Sequence, residues 1–198
     1  GEAPRKEIVR RYFKALCDLK NGAQIQSEVY KLELLMQQAH VSPEQCPAVM
    51  ASLKKAEETG TVAGAMTLPD GTVVTGKTSS LLGASAALLL NALKHLAGID
   101  HKLELIPSSV IAPISKTKIE YLGHHNPRLH SDEVLLALSI SGLSNPLAAM
   151  VQTQLKNLKG CDAHFSVIIS EEDVKLYKRL GINVSCEPKY EIKKLYHK

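Results

Sequence analysis

The run from Gly71 to Thr78 matches the phosphate-loop pattern G-x-x-x-x-G-K-[ST] at every defined position. In nucleotide-binding proteins that loop follows a buried strand, and its backbone N–H groups, Lys and hydroxyl hold the phosphates and magnesium. Here residues 72–75 are all β-branched and follow a Pro-Asp-Gly turn, which favours a β-hairpin over residues 66–75. The sequence therefore predicts an anion site at the start of the next helix instead of a full nucleotide-binding loop.

Lys77, Thr78 and Ser79 are the first candidate ligand-binding residues. We expect a helix from about Ser79 to Ala97, and the free N–H groups at the start of a helix bind phosphate or carboxylate. A cation and hydroxyls at that end would complement those N–H groups. The alternative is that Thr78 or Ser79 only caps the helix while Lys77 is solvated.

The segment from Asn126 to Asp132 is the second candidate, because Arg128 can bind an oxyanion with two parallel hydrogen bonds. An unperturbed His titrates near neutral pH, so His130 is the candidate catalytic acid or base. Loops often carry binding residues of these types. The alternative for this segment is a turn followed by a helix cap, in which neither side chain meets a ligand.

A metal site is a third interpretation, and it concerns the histidines and cysteines. Their spacing matches no known zinc motif, and surface or sheet histidines explain them without a metal. The cysteines are widely separated and form no C-x-x-C pair, which predicts reduced thiols; no cofactor is identified. The residues that would have to converge for a metal site are His124, His125, His130, Cys161 and His164.

Charge and composition narrow the range of partners. The 198-residue chain has a net charge of +4, no Trp and only 4% aromatic residues. It therefore has few aromatic rings on which nucleic-acid bases could stack. No apolar run is long enough to span a membrane and no signal-peptide pattern is present, so we expect a cytoplasmic protein. Basic residues gather near both ends, where solvated faces explain them better than a nucleic-acid stripe. They are Arg5, Lys6, Arg10, Arg11 and Lys14, and Lys189, Lys193, Lys194 and Lys198.

The pattern of elements predicts two parts. Residues 1–60 carry three helical stripes, the third beginning at a Ser42 cap followed by Pro43, and form a helical subdomain. From residue 61 strands and helices alternate, which predicts a separate α/β domain over residues 61–198. Its order is hairpin, helix, strand, helices, strand, helix, strand. The strands after the hairpin are expected at residues 103–106, 163–169 and 182–186.

This is the three-layer order of cytidine-deaminase-like folds, as a likeness of architecture alone. Those enzymes carry H-x-E at the start of the helix after the hairpin and P-C-x-x-C on the next helix, to hold zinc. Here the first helix offers Gly83-Ala84-Ser85, and the second motif is missing. Zinc deamination therefore has no support, and the architecture by itself implies no function.

Several stretches, in order along nearly the whole chain, resemble one bacterial family. They are Ile8 to Lys14, Asp70 to Ser79, Asn126 to Val134, Leu158 to His164 and Leu180 to Ile182. The resemblance is to the domain-of-unknown-function 1846 family, whose members are considerably longer, and this chain is similar to their C-terminal portion. The resemblance implies an upstream half similar to a nucleotide-binding domain akin to dethiobiotin synthetase, with its own glycine-rich loop.

The family is sometimes labelled an ATP-dependent zinc peptidase, but it brings no assigned catalytic residues, and this chain has no H-E-x-x-H helix. Its two most distinctive segments coincide with the two anion-site candidates. We therefore predict that the chain and the upstream half form a cleft for a phosphorylated or carboxylated small molecule. The residues expected to line it are Lys77, Thr78, Ser79, Arg128 and His130. A non-catalytic module that pairs with the upstream half or a second copy, and a metal-dependent hydrolase, stay open as alternatives, as does the question whether the protein is an enzyme.

Overall fold

The computed structural model describes residues 1–191, in which helices surround a four-stranded mixed sheet. Lys193, Lys194 and Lys198 of the basic C-terminal group lie outside this range. The first part of the chain is helical, as predicted. Its elements are α1 (Glu2–Lys20), α2 (Gln26–Ala39), a short 3-10 helix (Pro43–Gln45) and α3 (Pro47–Thr59).

Local sequence explains where these helices begin and end. The 3-10 helix is capped by Ser42, whose N–H donates to the Gln45 side chain at 3.4 Å. The predicted third helix is therefore a 3-10 turn that gives way to α3, which has Pro47 in its first turn. Gly60 ends α3 with φ of 66°, a left-handed conformation that glycine adopts without strain.

The predicted hairpin forms and becomes the first half of the sheet. β1 (Ala63–Thr67) pairs antiparallel with β2 (Val73–Lys77), and the turn is fixed by the Asp70 carboxylate, which accepts the Thr72 N–H at 2.9 Å. β1 also pairs antiparallel with β3 (Asp162–Phe165), and β3 pairs parallel with β4 (Asn183–Cys186). The strand order is β2-β1-β3-β4.

Five helices belong to the second part of the chain, within the described residues. Serine, asparagine and proline set several of their starts: the Asn145 side chain accepts the Leu147 N–H, and the Ser170 side chain accepts the Asp173 N–H. The helices are α4 (Ala84–Leu96), α5 (Ser108–Glu120), α6 (Ser131–Ser141), α7 (Pro146–Gln152), which continues into a 3-10 helix (Thr153–Leu158), and α8 (Glu171–Arg179).

Helices cover both faces of the sheet. α4 lies against β1 and β2, and α8 lies against β4, while α1 and α3 pack on the opposite face. The main apolar core forms between the sheet and α4, with Met66, Leu88 and Phe165 fully buried. Smaller clusters fill the space between α1, α2 and α3. The residues of the predicted helical subdomain thus form a layer on the sheet.

Two predictions about elements are wrong. Residues 103–106 are not a strand: they follow a turn at residues 100–103, in which the Leu103 N–H donates to the Asp100 carbonyl at 3.0 Å. Leu105 and Ile106 are buried, so their apolar pattern reports core packing instead of sheet pairing. The helix expected from Ser79 begins five residues later, at Ala84.

Candidate functional site

A cavity of about 350 Å³ lies between α1, the segment before α3 and the polar face of the sheet. We call it the helix–sheet cavity. Its α1 wall carries Glu2 and the basic residues Arg5, Lys6 and Arg10, and its floor is formed by side chains of β1, β3 and β4. Pockets for small ligands are concave and have a few polar groups that converge, which is the arrangement here. The floor residues are Thr67, Asp162, His164, Asn183 and Ser185.

Strand register produces this polar floor. Thr67 is opposite Asp162, and Asp162 is opposite Asn183, so these side chains form one row across the sheet. The Asn183 amide donates to Asp162 at 3.1 Å, and Lys6 Nζ lies 3.2 Å from the other Asp162 oxygen. The ion pair therefore joins α1 to the floor of the cavity.

The second row centres on His164, which is 1% exposed. Its Nδ1 lies 2.7 Å from Ser185 Oγ, and its Nε2 lies 3.0 Å from Glu187 Oε1. The Phe13 ring of α1 covers the imidazole at a centroid distance of 4.5 Å. Both ring nitrogens thus have fixed partners, and the imidazole cannot rotate freely.

Within residues 1–191, the cationic groups of the α1 wall are not all satisfied. Arg10 pairs with Glu7, but its buried Nε has no hydrogen-bond partner among the described residues. Arg5 lines the same cavity, and the described ion pairs leave it without an acidic partner. A buried unpaired donor costs free energy, which an anionic ligand would recover. Cys46 also lines the cavity, where burial, and then the Asp162 charge, raises the pKa of its thiol.

The first group of predicted site residues lies elsewhere. Lys77 is the exposed last residue of β2, and the Thr78 N–H donates to the Val62 carbonyl at 2.9 Å. Ser79 Oγ accepts the N–H groups of Leu81 and Leu82 at 3.3 and 3.1 Å, so it caps a turn. The expected position of these residues at the free N–H groups of a helix is therefore wrong, because α4 starts at Ala84.

The structure does bring the two predicted segments together. Arg128 Nε donates to the Ser79 carbonyl at 2.5 Å, and the Leu129 N–H donates to the Leu81 carbonyl at 2.9 Å. We call this contact the Ser79–Arg128 junction. Ser79 lines a smaller cavity of about 160 Å³ beside Lys94 and Glu104, whereas Lys77 and Arg128 line neither of the two cavities described. The junction thus joins Ser79 to Arg128 and leaves Lys77 apart.

His130 serves as the N-terminal cap residue of α6. Its backbone N–H donates to Glu133 Oε1 at 2.9 Å, and its Nδ1 lies 3.9 Å from Asp173 Oδ2. Asp173 is buried and also accepts the Ser85 hydroxyl at 2.7 Å and the Ser131 N–H at 3.1 Å. These contacts tie the starts of α4 and α6 to the first turn of α8. A structural role therefore accounts for His130 and its neighbours.

The five side chains of the metal interpretation are dispersed. His124 and His125 are exposed beyond α5, whereas Cys161 and His164 are buried at β3. Over residues 1–191 no three His, Cys, Asp or Glu side chains are grouped so that they could hold a metal ion. The described part of the chain thus gives the metal-dependent hydrolase no support.

The helix–sheet cavity was missed from the sequence, although signals for it exist. Asp162 and His164 alternate with apolar residues, and so do Asn183 and Ser185 in the partner strand. Such alternation puts all four polar side chains on one face of the sheet. The basic residues of α1 recur at positions 6 and 10, one turn apart, which places them on one face of the helix.

The described residues define an α/β protein in which a four-stranded mixed sheet is covered by helices and floors a polar cavity. The chain belongs to the family described as "Domain of unknown function DUF1846, C-terminal", whose model matches residues 44–196. The resemblance predicted from the sequence is thereby confirmed. None of the helices in residues 1–191 has the length and apolar character needed to cross a membrane.

Relatives from several bacteria cover the whole chain. It is 47% identical over 197 residues to UPF0371 protein str1377 of Streptococcus thermophilus strain CNRZ 1066. It is 48% identical to UPF0371 protein CE2832 of Corynebacterium efficiens and 45% identical to UPF0371 protein SpyM50764 of Streptococcus pyogenes serotype M5. Each match covers 100% of this chain and 40% of the relative. The chain therefore spans about 40% of the length of the curated relatives it matches.

Proposed function

We propose that this chain contributes, within a longer protein, a binding cleft for a small molecule that carries a phosphate or carboxylate group. The observation that carries the proposal is the helix–sheet cavity, which has three basic side chains on one wall and hydrogen-bonding side chains on its floor. Arginine is suited to planar, bidentate binding of such anions. The cavity volume of about 350 Å³ is that of a small-ligand pocket.

Hydrogen-bond donors, and not net charge, favour an anion at the cavity, since Glu2 also lines it. Lys6 and Asp162 neutralise each other, and Arg10 is paired with Glu7, but Arg5 and the Arg10 Nε–H retain binding capacity. Ser42 and Gln45, which also line the cavity, can donate hydrogen bonds to the ligand. An incoming oxyanion would thus meet the exposed Arg5 guanidinium and the Arg10 Nε–H donor.

The Ser79–Arg128 junction is a second place for the anion, and it keeps the five residues predicted from the sequence as candidates. Arg128 already holds a position beside Ser79 through the Nε contact of 2.5 Å. The remaining guanidinium nitrogens could bind an anion that Thr78 also contacts. Lys77 would have to reach this point from the exposed end of β2, and His130 would have to act from its cap position, so we rank the junction below the cavity.

Thermal unfolding with defined anions tests the proposal and locates the site. We expect one of inorganic phosphate, citrate or ATP to stabilise the chain, by about 2.7 kcal/mol at about 100 times its Kd. Arg5→Gln and Arg10→Gln should lose that stabilisation. Lys14→Gln, which changes an exposed residue of the same helix, is the matched control and should keep it.

The outcomes of this experiment separate the two places. Stabilisation that is lost in Lys77→Ala and Arg128→Ala but kept in the Arg5 and Arg10 variants would move the site to the Ser79–Arg128 junction. If no anion stabilises this chain, and none stabilises the longer protein in a way that depends on Arg5 or Arg10, the cleft proposal is wrong.

An assembly role is the second candidate function, because α6 and its C-terminal turn expose a row of large apolar side chains. Leu136 is 64% exposed, Ile140 54% and Leu143 88%. Exposed apolar patches usually mark interaction sites. We propose that the upstream half of the longer protein, which the relatives carry in the other part of their length, covers this row. That half would be the nucleotide-binding-like domain implied by the resemblance.

Binding between separately produced halves tests the assembly role. The upstream half of a relative should bind this chain, and Ile140→Glu should weaken binding at least tenfold, whereas Lys156→Glu on an exposed polar site should not. A second copy as the true occupant would instead give a dimer of this chain that Ile140→Glu dissociates. Unchanged binding by Ile140→Glu would rule out this row as the interface.

The architecture also supports a proposal about fold kinship. We propose that the hairpin, the central sheet and the parallel β3-α8-β4 unit share the order of cytidine-deaminase-like folds. The start of α4 carries Gly83, Ala84 and Ser85 where those enzymes have zinc-binding and proton-transfer residues. The kinship is therefore one of chain order and brings no deaminase chemistry to the cavity.

A further inference from the structure

The floor of the helix–sheet cavity contains a hydroxyl, an imidazole and a carboxylate joined in sequence. Ser185 Oγ lies 2.7 Å from His164 Nδ1, and Glu187 Oε1 lies 3.0 Å from His164 Nε2. β3 and β4 are in parallel register with His164 opposite Ser185, and Glu187 follows two residues later on the same face. The sheet itself thus aligns the three groups.

The hydrogen-bond partners determine which ring nitrogen carries the proton. An ionised carboxylate only accepts hydrogen bonds, so the Nε2–H donates to Glu187. Nδ1 is then an acceptor, and it faces the Ser185 hydroxyl. The alternative acceptor for that hydroxyl, the Ala163 carbonyl, is farther away at 3.5 Å. The imidazole is therefore placed to take the proton of Ser185.

Core packing does not require this arrangement. Position 164 is covered by the Phe13 ring, and an apolar side chain could fill the same space without the cost of burying polar groups. Both Ser185 and His164 line the cavity, so the hydroxyl is reachable from the ligand space. A nucleophile beside a base that a third group orients is the arrangement used for covalent catalysis.

We propose that Ser185 is a nucleophile for acyl transfer, with His164 as its base and Glu187 as the positioning residue. This inference rests on the proposed function, since its substrate is a small carboxylic ester or thioester whose anionic group is held by Arg5 and Arg10. Ser185, His164 and Glu187 would act on the carbonyl end of that ligand, and the two arginines of the α1 wall would bind its anionic end.

The proposed reaction consumes one ester or thioester and one water. Ser185 Oγ attacks the ester carbonyl carbon while its proton passes to His164 Nδ1, and the imidazolium is stabilised by Glu187. The bond from carbon to the leaving oxygen or sulfur breaks, and the leaving group takes the proton from Nδ1. Water then attacks the acyl-Ser185 ester, giving its proton to Nδ1, and the carboxylic acid leaves as Ser185 recovers its hydrogen.

A fluorophosphonate probe tests the nucleophile directly, because it phosphonylates activated serines with loss of fluoride. We expect a single adduct on Ser185 by intact mass and peptide mapping of the 198-residue chain. Ser185→Ala should abolish it, and His164→Gln should slow labelling at least roughly 100-fold. Ser144→Ala, at an exposed serine, should leave labelling unchanged.

Glu187→Gln keeps the test valid if a buried His164 variant fails to fold, since Glu187 is 20% exposed. We expect slower labelling, because the Gln amide can both donate and accept a hydrogen bond and so no longer fixes the imidazole tautomer that leaves Nδ1 free to accept the Ser185 proton. Glu187→Asp should restore part of the rate. A merely structural role would change stability and leave the labelling rate of the folded protein unchanged.

The probe carries no charge, so its reaction with Ser185 does not depend on Arg5 or Arg10 of the α1 wall. Labelling of Ser185 without any anion-induced stabilisation, in this chain or in the longer protein, would leave the nucleophile standing and remove the proposed binding function together with the anionic group assigned to the substrate. Anion-induced stabilisation with no adduct on Ser185 in the folded wild-type chain would overturn the nucleophile and keep the binding function. Labelling that persists at full rate in a folded His164→Gln or Glu187→Gln protein would likewise overturn it.

Discussion

Lys118 illustrates how single residues fix the Ser79–Arg128 junction. It is 2% exposed, and its Nζ donates to Glu133 at 2.8 Å and to the Arg128 carbonyl at 2.6 Å. Burying an ammonium group is costly unless it is paired and hydrogen-bonded. The two contacts meet that requirement, and they anchor the loop before α6 to α5. Arg128 is therefore held in place by Lys118 as well as by Ser79.

Removal of one partner should expose the cost of the buried charge. In Glu133→Ala the Lys118 ammonium would lose its counter-ion, and we expect the free energy of unfolding to fall by about 3 kcal/mol. Urea denaturation measures the change. Glu171→Ala, which removes the exposed partner of Lys175, is the control and should cost less than about 1 kcal/mol. Equal effects in both variants would mean that Lys118 is not held as a buried ion.

The thiols provide a prediction about pH. Burial, followed by the neighbouring Cys186, raises the pKa of Cys17 from 9.0 to about 12, and burial raises the pKa of Cys161 and of Cys186 to about 11. The folded chain therefore holds these protons more tightly than the unfolded chain. This contribution to stability is complete below about pH 9 and is lost as the pH rises through 9 toward 11 and 12.

Urea titrations at about pH 8 and about pH 10.5 should show this loss. We expect Cys17→Ala to reduce the decline in unfolding free energy between the two pH values, because one of the groups responsible is gone. The comparison of declines removes the effects of other groups that titrate in this range. A decline in Cys17→Ala as steep as that of the wild type would show that Cys17 ionises equally easily in both states.

At the scale of elements, Gly76 shows that a sequence can match the phosphate-loop motif for a reason unrelated to phosphate binding. The glycine is paired with Gly64 across the hairpin, and a Cβ at position 76 would lie 2.3 Å from the Leu88 backbone nitrogen. Glycine stands here because β2 and α4 approach closely. Its place in the phosphate-loop pattern is therefore explained by helix–sheet packing.

Substitution of Gly76 tests that explanation. Gly76→Ala should force β2 and α4 apart and lower the free energy of unfolding by roughly 2 kcal/mol or more. Gly83→Ala is the matched control, since a Cβ there would meet only the Leu129 carbonyl at 3.6 Å and the backbone needs no left-handed conformation. Denaturation midpoints of the two variants give the comparison. A harmless Gly76→Ala would mean that the close approach is not needed for folding.

Local patterns predicted the elements better than the site. The hairpin, the helical stripes and the caps at Ser42 and Asn145 follow from neighbouring residues, so the sequence contains them directly. The strand predicted after the turn at residues 100–103 does not form, because Leu105 and Ile106 are buried in the core and do not pair with the sheet. The cavity floor combines side chains from three strands far apart in sequence, and only strand register brings them together.

At the scale of the whole molecule, the N-terminal helices and the sheet share one interface. Phe13 packs on His164, Lys6 pairs with Asp162, and the Cys17 thiol donates to the Cys186 carbonyl at 3.3 Å. The helix–sheet cavity lies within the same interface, so its shape depends on how α1 sits on the sheet. A boundary at residue 60 was predicted from the change of pattern, and these contacts lead us to expect that both parts unfold together.

Hydrogen exchange on two core variants tests this expectation. Phe13→Ala removes a contact between α1 and the sheet, whereas Leu32→Ala removes one within the cluster of α1 and α2. Each should lower the free energy of unfolding by about 3 kcal/mol. If the chain is one cooperative unit, either variant reduces the protection of amides in α2 and in β3 by the same factor. Loss of protection in α2 alone for Leu32→Ala, with β3 unchanged, would instead establish residues 1–60 as an independently unfolding domain, and the cavity would then open without unfolding of the sheet.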